Sequence, residues 1–334
     1  LQTAVLDGVQ KVRLTSLLVC ASHFAFFYIL ISVFTKNDLM PKNILVIYNP
    51  ISGKTQSSVR KKIHNALARH GFSAMFVETS AEGDYSALAM NEYDLILVAG
   101  GDGTLNAVFS EIIVQKWRGK AGIIPTGSAN LLAGALGVPK HIKHSVDFAL
   151  TSYSSTKIDA FEINKKHYAF VALGIGYDAV VMALTRRELK RRFGFLAYWL
   201  GMIQGLVRFR EANFSLNVDG KRINRHAKTL FIMNVGRFFN LELAPGLSPN
   251  DGRAELAIVR PVSLFDLLKL FFGLVSKRFF VEGRLEYMSC KRLKVSYKKN
   301  VPVQFDGEVV DLKSPLELVV ISGALEVVGS HYSK

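Results

Sequence analysis

The sequence predicts two folds in series: an α/β half on a parallel sheet, then an all-β half folded as an antiparallel sandwich. Three observations lead there. From Ile44 to Leu136, apolar runs alternate with segments whose apolar residues recur at helical spacing, and strand, loop and helix repeated in that way build a parallel sheet. Beyond Pro139 the chain turns to short runs broken by Asp-Gly pairs, which close antiparallel hairpins. A hydrophobic content of 49% over 334 residues excludes a disordered chain and leaves room for two cores.

In the first half, Ile44 to Tyr48 is a buried strand and Asn49 to Lys54 the loop after it. Val59, Ile63 and Leu67 give the next helix an apolar stripe, with Gly71 as its stop. Ser73 to Val77 is the second strand, ending at Glu78-Thr79, and Asp84 to Asn91 is expected as a short helix. The organising stretch follows. Asp94 to Ala99 is apolar enough for the interior of a parallel sheet, and it empties into Gly100-Gly101-Asp102-Gly103-Thr104. A loop without β-carbons lets backbone N–H groups approach a phosphate, and Thr104 is expected to cap the helix whose positive end faces the same spot. Asp102 fits such an anion site only if it holds magnesium or polarises a hydroxyl; the competing reading is an ordinary glycine-rich turn. Ala121 to Pro125 is a fourth strand, and Thr126-Gly127-Ser128-Ala129-Asn130 opens a helix through Leu136. Three loops and Thr79 therefore gather at the carboxyl edge of the sheet, where open α/β folds bind ligands.

In the second half, strands are expected near 157–174, 213–219, 228–236, 253–259, 291–297, 301–310 and 316–328, with turns at Asp219-Gly220, Asp251-Gly252 and Asp306-Gly307. Two helical inserts, 178–210 and 263–280, interrupt them, and the second carries an apolar face with lysines that suits either a core or a bilayer.

The formal net charge of +15 favours an anionic partner. No RNA-binding or zinc-finger pattern is present, and basic residues sit beside Phe, Leu and Trp between Lys190 and Trp199, so an anionic membrane surface is expected rather than nucleic acid. Two cysteines, Cys20 and Cys290, argue against a disulfide framework and for a reducing compartment. Leu17 to Phe34 is an apolar run interrupted by Ser22, His23 and Ser32, and Met40 directly precedes the first clear strand. Residues 1–39 are expected to be a leader outside the working protein, with a membrane anchor or signal-like segment as the other reading.

Asn49-Pro50 to Gly53, Gly100 to Thr104, Pro125 to Asn130 and Asp306-Gly307-Glu308 occur in this order, joined by Gly174-Ile175-Gly176-Tyr177-Asp178-Ala179 and Asn250-Asp251-Gly252. Together they resemble the diacylglycerol kinase and sphingosine kinase family, particularly its bacterial lipid kinase members, from about Asn43 to Val328. The resemblance implies an ATP-binding domain at 40–156 and a β-rich lipid-binding domain at 157–334, whose C-terminal segment has the option of returning to the first domain. It implies ATP contacts at Asn49, Thr79, Gly100, Gly101, Asp102, Gly103, Thr104, Leu105, Asn106, Gly127, Ser128 and Asn130. Asp102 and Glu308 would be catalytic, Glu308 as proton acceptor. The Asp251 carboxylate with the backbone carbonyls of Ser248 and Arg253 would hold a structural Mg2+. Implied partners are ATP, Mg2+ and a lipid substrate, with room for a homodimer, on the cytoplasmic side and peripheral to the inner face of the membrane.

Two positions depart from the family. Many members have Asp where this chain has Leu131, and related bacterial enzymes often carry Glu where it has Ala107. Both losses thin the acidic set around magnesium. An NAD kinase shares the Gly-Gly-Asp-Gly loop, and a non-catalytic lipid sensor would share the fold, so both stand as rival readings.

Overall fold

The computed structural model describes residues 41, 43–50, 58–79, 85–152, 154–185, 196–209, 211–238, 241–244, 246–260, 285–298 and 301–329. The expected leader, the 263–280 helix, Ile51 to Lys54 and Asp84 lie outside these residues. Strand β1 (Ile44–Tyr48), helix α1 (Ser58–Arg69), β2 (Met75–Glu78), β3 (Leu95–Gly100), α2 (Asp102–Val114), β4 (Lys120–Pro125), α3 (Leu131–Ala135) and α4 (Ile142–Thr151) form the α/β half. Their strands run parallel in the order β2-β1-β3-β4. Period two sets the two faces of β1: Ile44, Val46 and Tyr48 pack towards α1 and α4, while Leu45 and Ile47 join the core that includes Leu105, Val108 and Phe109 of α2.

The all-β half comprises β5 (Ser155–Ile163), β6 (His167–Ala169), β7 (Ala172–Gly176), α5 (Tyr177–Leu184), α6 (Leu196–Arg208), β8 (Ala212–Val218), β9 (Lys221–Ala227), β10 (Thr229–Met233), the short β11 (Arg237–Phe238) and β12 (Leu241–Glu242), β13 (Ala254–Val259), β14 (Leu285–Cys290), β15 (Arg292–Tyr297), β16 (Val303–Phe305), β17 (Glu308–Val310) and β18 (Leu316–Val328). One antiparallel sheet runs β14-β13-β10-β7-β16-β17. The other continues the parallel sheet itself: β18 pairs parallel with β4 through Glu326 and Lys120, and antiparallel with β5 and β15. Between the sheets lies an apolar core including Phe161, Leu173, Ile175, Phe214, Leu230, Ile232, Leu256 and Leu293. Because β18 is shared, the parallel sheet and the sandwich are stitched along one strand.

Several local expectations change. The helix at 84–91 is only a 3-10 turn over Met90–Glu92; the buried Tyr85 and Met90 are five residues apart and do not share one helix face. The 157–174 segment divides into three strands, with Asn164 and Lys165 at positive φ in the turn between the first two and a second break at 170–171. Strand β9 shows no apolar alternation because it is a sheet edge bearing Lys221, Arg222 and Arg225, charges that discourage edge-to-edge pairing. The hairpins at Asp219-Gly220 and Asp306-Gly307 form as expected, all four residues having positive φ.

Candidate active site

The glycine loop follows β3. Helix α2 begins three residues earlier than expected, at Asp102, with Gly101 as its N-cap and no side chain capping it. Thr104 is therefore not the cap. It lies inside the first turn, where its hydroxyl accepts from Asn49 Nδ2 at 3.3 Å. An uncapped helix start leaves first-turn N–H groups facing the loop, the arrangement that receives an anion.

The second loop, 126–130, packs against the first backbone to backbone. A β-carbon on Gly127 would lie 2.4 Å from Gly101 Cα, so neither partner can step aside for a side chain. Asn130, in the left-handed region, holds this loop by accepting from Gly127 N–H at 3.0 Å and donating to Gly127 O at 2.8 Å. Ser128 is exposed at its tip. Thr79 follows β2 at the same edge, its N–H bonded to Tyr48 O at 2.9 Å. Leu105 is buried in the core, so it offers a ligand only its backbone.

Asp102 accepts from Leu132 N–H at 3.3 Å. Burial pushes its carboxyl up to about 6, the Leu132 N–H pulls the other way, and the nearby Asp306 carboxylate adds to the rise. A carboxylate held in this state gains from a cation, and one carboxylate beside a loop with free space for phosphate oxygens would be a donor set that suits Mg2+. The Asp102 surroundings therefore fit the ion.

The β16–β17 hairpin reaches the same place. A β-carbon on Gly103 would lie 2.7 Å from Glu308 Oε1, so the exposed Glu308 carboxylate stands over the first turn of α2. Its neighbour Asp306 faces the protein instead. That carboxylate accepts from the N–H groups of Phe170 (2.8 Å), Val171 (2.9 Å) and Ala172 (3.0 Å), and from Asn106 Nδ2 (2.8 Å). Asn106 Nδ2 also donates to Tyr168 O at 2.8 Å. Asn106 and Asp306 thus clamp α2 to the hairpin and to the chain entering β7. The sequence marked Asp306 as a turn residue and as part of a stretch shared with the family, and nothing in its spacing revealed the clamp.

Ser248, Asp251 and Arg253 share the turn before β13. The Asp251 oxygens accept from Arg253 N–H (2.9 Å) and Ser248 N–H (3.2 Å), and Asp251 N–H donates to Ser248 O (3.3 Å). Among the described residues no group of three acidic, His or Cys side chains is placed to hold a metal. The turn thus offers one side-chain carboxylate, already engaged in its own hydrogen bonds.

Residues 43–163 match the family model described as the diacylglycerol kinase catalytic domain, and residues 171–329 match the YegS C-terminal NAD kinase beta sandwich-like domain. Among curated relatives, the diacylglycerol kinase of Bacillus subtilis (strain 168) is 28% identical over 285 residues, covering 80% of this chain and 90% of that protein. That of Staphylococcus aureus (strain MRSA252) is 28% identical over 277 residues, covering 80% and 87%. A crystal structure of a diacylglycerol kinase from Bacillus anthracis str. Sterne superposes with a TM-score of 0.67 at 19% identity, covering 87% of this chain and 97% of that one. An NAD kinase from Archaeoglobus fulgidus in complex with ATP shares the fold at a TM-score of 0.50 and 14% identity, covering 86% and 94%. With both family domains matched in succession along the described fold, the chain belongs to the diacylglycerol kinase family and is a lipid kinase phosphotransferase.

Proposed function

We propose that the protein transfers the γ-phosphate of ATP to the hydroxyl of a diacylglycerol or sphingoid-type lipid, working on the cytoplasmic side at the inner membrane face. The observation that carries this is Glu308 standing over Gly103, which brings a carboxylate from the lipid-side sandwich to the phosphate loop. Residues 40–156 would bind ATP and 157–334 the lipid. The first-turn N–H groups of α2, with Asn49, Thr79, Gly100, Gly127, Ser128 and Asn130 around them, would hold the phosphates. Glu308 would take the hydroxyl proton as the new P–O bond forms, while the bond from γ-phosphorus to the bridging oxygen of ADP breaks. Magnesium, when bound, supplies positive charge against the transferring phosphate, and Asp102 is the side chain that would hold it. Incubation with labelled ATP and a panel of diacylglycerol, sphingoid, ceramide and monoacylglycerol lipids tests the reading, and labelled NADP formed from NAD with no labelled lipid would reverse it.

Asp102→Asn separates charge from shape. Burial holds the Asp102 carboxyl above its ordinary value, so the folded state favours the protonated form. The wild type therefore loses stability as pH rises from about 4 towards about 6, and keeps that loss above. The amide still accepts from Leu132. We expect the variant to melt higher than wild type at pH 7, with a flatter dependence over that window, and to lose most turnover. Near-normal turnover would remove Asp102 from the mechanism.

A membrane partner is supported by α6. Gly201 and Gly205 let it pack closely on α5, with Tyr177 and Val181 as neighbours, while Leu200, Ile203 and Val207 on its outer side are 44%, 43% and 86% exposed. Among the described residues no helix is long and apolar enough to cross a membrane. An apolar face on a basic protein binds anionic bilayers by area and by charge, and salt screens only the second over roughly 8 Å. Replacing the three side chains by Ser is expected to remove the salt-resistant part of binding to anionic vesicles. Unchanged binding at high salt would place contact elsewhere.

A further inference from the structure

The stretch Gly174-Ile175-Gly176-Tyr177-Asp178 takes no direct part in phosphate or proton transfer, yet the structure ties it to the hairpin that carries Glu308. Gln304 of β16 lies opposite Gly174 of β7 and is 2% exposed. Its Nε2 donates to Asp178 Oδ2 at 2.6 Å, and its Oε1 accepts from Gly307 N–H at 2.9 Å. A carboxylate can only accept, so Asp178 fixes which way the Gln304 amide faces and leaves the amide oxygen to Gly307. Gly174 is the space in which they meet: a β-carbon there would lie 2.0 Å from Asp178 Oδ2 and 2.7 Å from Gln304 Nε2. Burial pushes the Asp178 carboxyl up to about 6, and the Gln304 hydrogen bond acts against that rise.

The two central residues of the turn are thus tied separately, Asp306 by its own carboxylate and Gly307 by Gln304. The first tether fastens the hairpin to the sandwich and to α2. The second fixes the Asp306–Gly307 peptide plane, one plane ahead of the one that leads into Glu308. We propose that Gln304, oriented by Asp178 in the space that Gly174 leaves, is a positioning residue that holds the Asp306–Gly307 peptide by its N–H so that the Glu308 carboxylate stays over the first turn of α2. This rests on the assignment of Glu308 as proton acceptor.

The test is a polarity swap. Gln304→Glu sets two carboxylates against each other, whereas Gln304→Glu with Asp178→Asn restores a donor facing an acceptor and leaves an oxygen for Gly307. Gln304→Glu is expected to lower kcat about tenfold or more with KM for ATP within about twofold, since small misplacement of a reacting group costs rate rather than nucleotide affinity. The double variant is expected to return to within about threefold of wild type. In a Glu308→Gln background, Gln304→Glu should cost no further rate, because a positioning residue acts only through the group it positions. Full kcat in Gln304→Glu, or an undiminished further loss in the Glu308→Gln background, would overturn the proposal. If Gln304→Glu does not fold, Gln304→Met replaces it: kcat falls and the Gly307 amide exchanges faster, and unchanged exchange and rate would count equally against the tether. Full turnover of Glu308→Gln alone would instead defeat the assignment on which the proposal rests.

Discussion

Glu308→Gln is expected to lower the maximal rate by on the order of 10² to 10⁴ while leaving the melting temperature where it is. The two halves of that expectation come from different observations. Glu308 is exposed on β17, and the hairpin around it is held by others: Asp306 through four donors, Gly307 through Gln304. An amide of the same shape therefore leaves those tethers in place. Its cost falls on the proton, which an amide cannot take. If Glu308 served only the hairpin, rate and melting temperature would fall together. Turnover at saturating ATP and lipid, measured beside thermal unfolding, distinguishes the two. Full turnover in a stable Gln variant would leave proton acceptance to solvent, because both Asp306 oxygens already accept from the protein.

Much of the fold was legible because the physics that makes it is local. The β1 and β3 runs are apolar on both faces, as only a strand inside a parallel sheet needs to be, and both are buried throughout. Asp219-Gly220 and Asp306-Gly307 supply the positive φ that a two-residue hairpin demands. Edges were harder. Strand β9 carries charge on both faces, with Lys221 and Arg225 opposite the buried Val218 and Phe214 and Arg222 on the other side, and in sequence that looks like a solvated loop. The site divides in the same way. Gly101 and Gly127 are visible as glycines, but that they are needed because two loops touch backbone to backbone is a tertiary fact. The Thr104 expectation failed for a related reason: a glycine at the N-cap lets the helix begin before the first residue with capping chemistry. Gln304 and Asp178 lie far apart in sequence and meet only through the β7–β16 pairing, so no spacing rule could join them.

The largest effect on stability is expected from Asp306→Ala. Removing the carboxylate leaves the N–H groups of Phe170, Val171 and Ala172 and the Asn106 amide without their acceptor, and the three backbone residues are almost fully buried. An unsatisfied buried donor costs about 1–3 kcal/mol. Against this stands a gain: burial holds the Asp306 carboxyl above its ordinary value, so charging it already works against the fold, and the variant escapes that cost. The donors outweigh it, since three buried N–H groups are orphaned and Asn106 Nδ2 keeps only Tyr168 O for one charge removed, and a net loss on the order of 3–5 kcal/mol follows. Asp306→Asn should recover only part of this, because its amide nitrogen must face donors that one of the two carboxylate oxygens formerly satisfied. Asn106→Ala should cost less, since it removes one donor and leaves Tyr168 O without it. The double variant should lose less than the sum, because both changes break the same hydrogen bond. Denaturant unfolding of the three variants and the pair is the measurement. An Asp306→Ala protein as stable as wild type would mean that water replaces the carboxylate without cost, and that the hairpin carrying Glu308 is held by β7 and Gln304 alone.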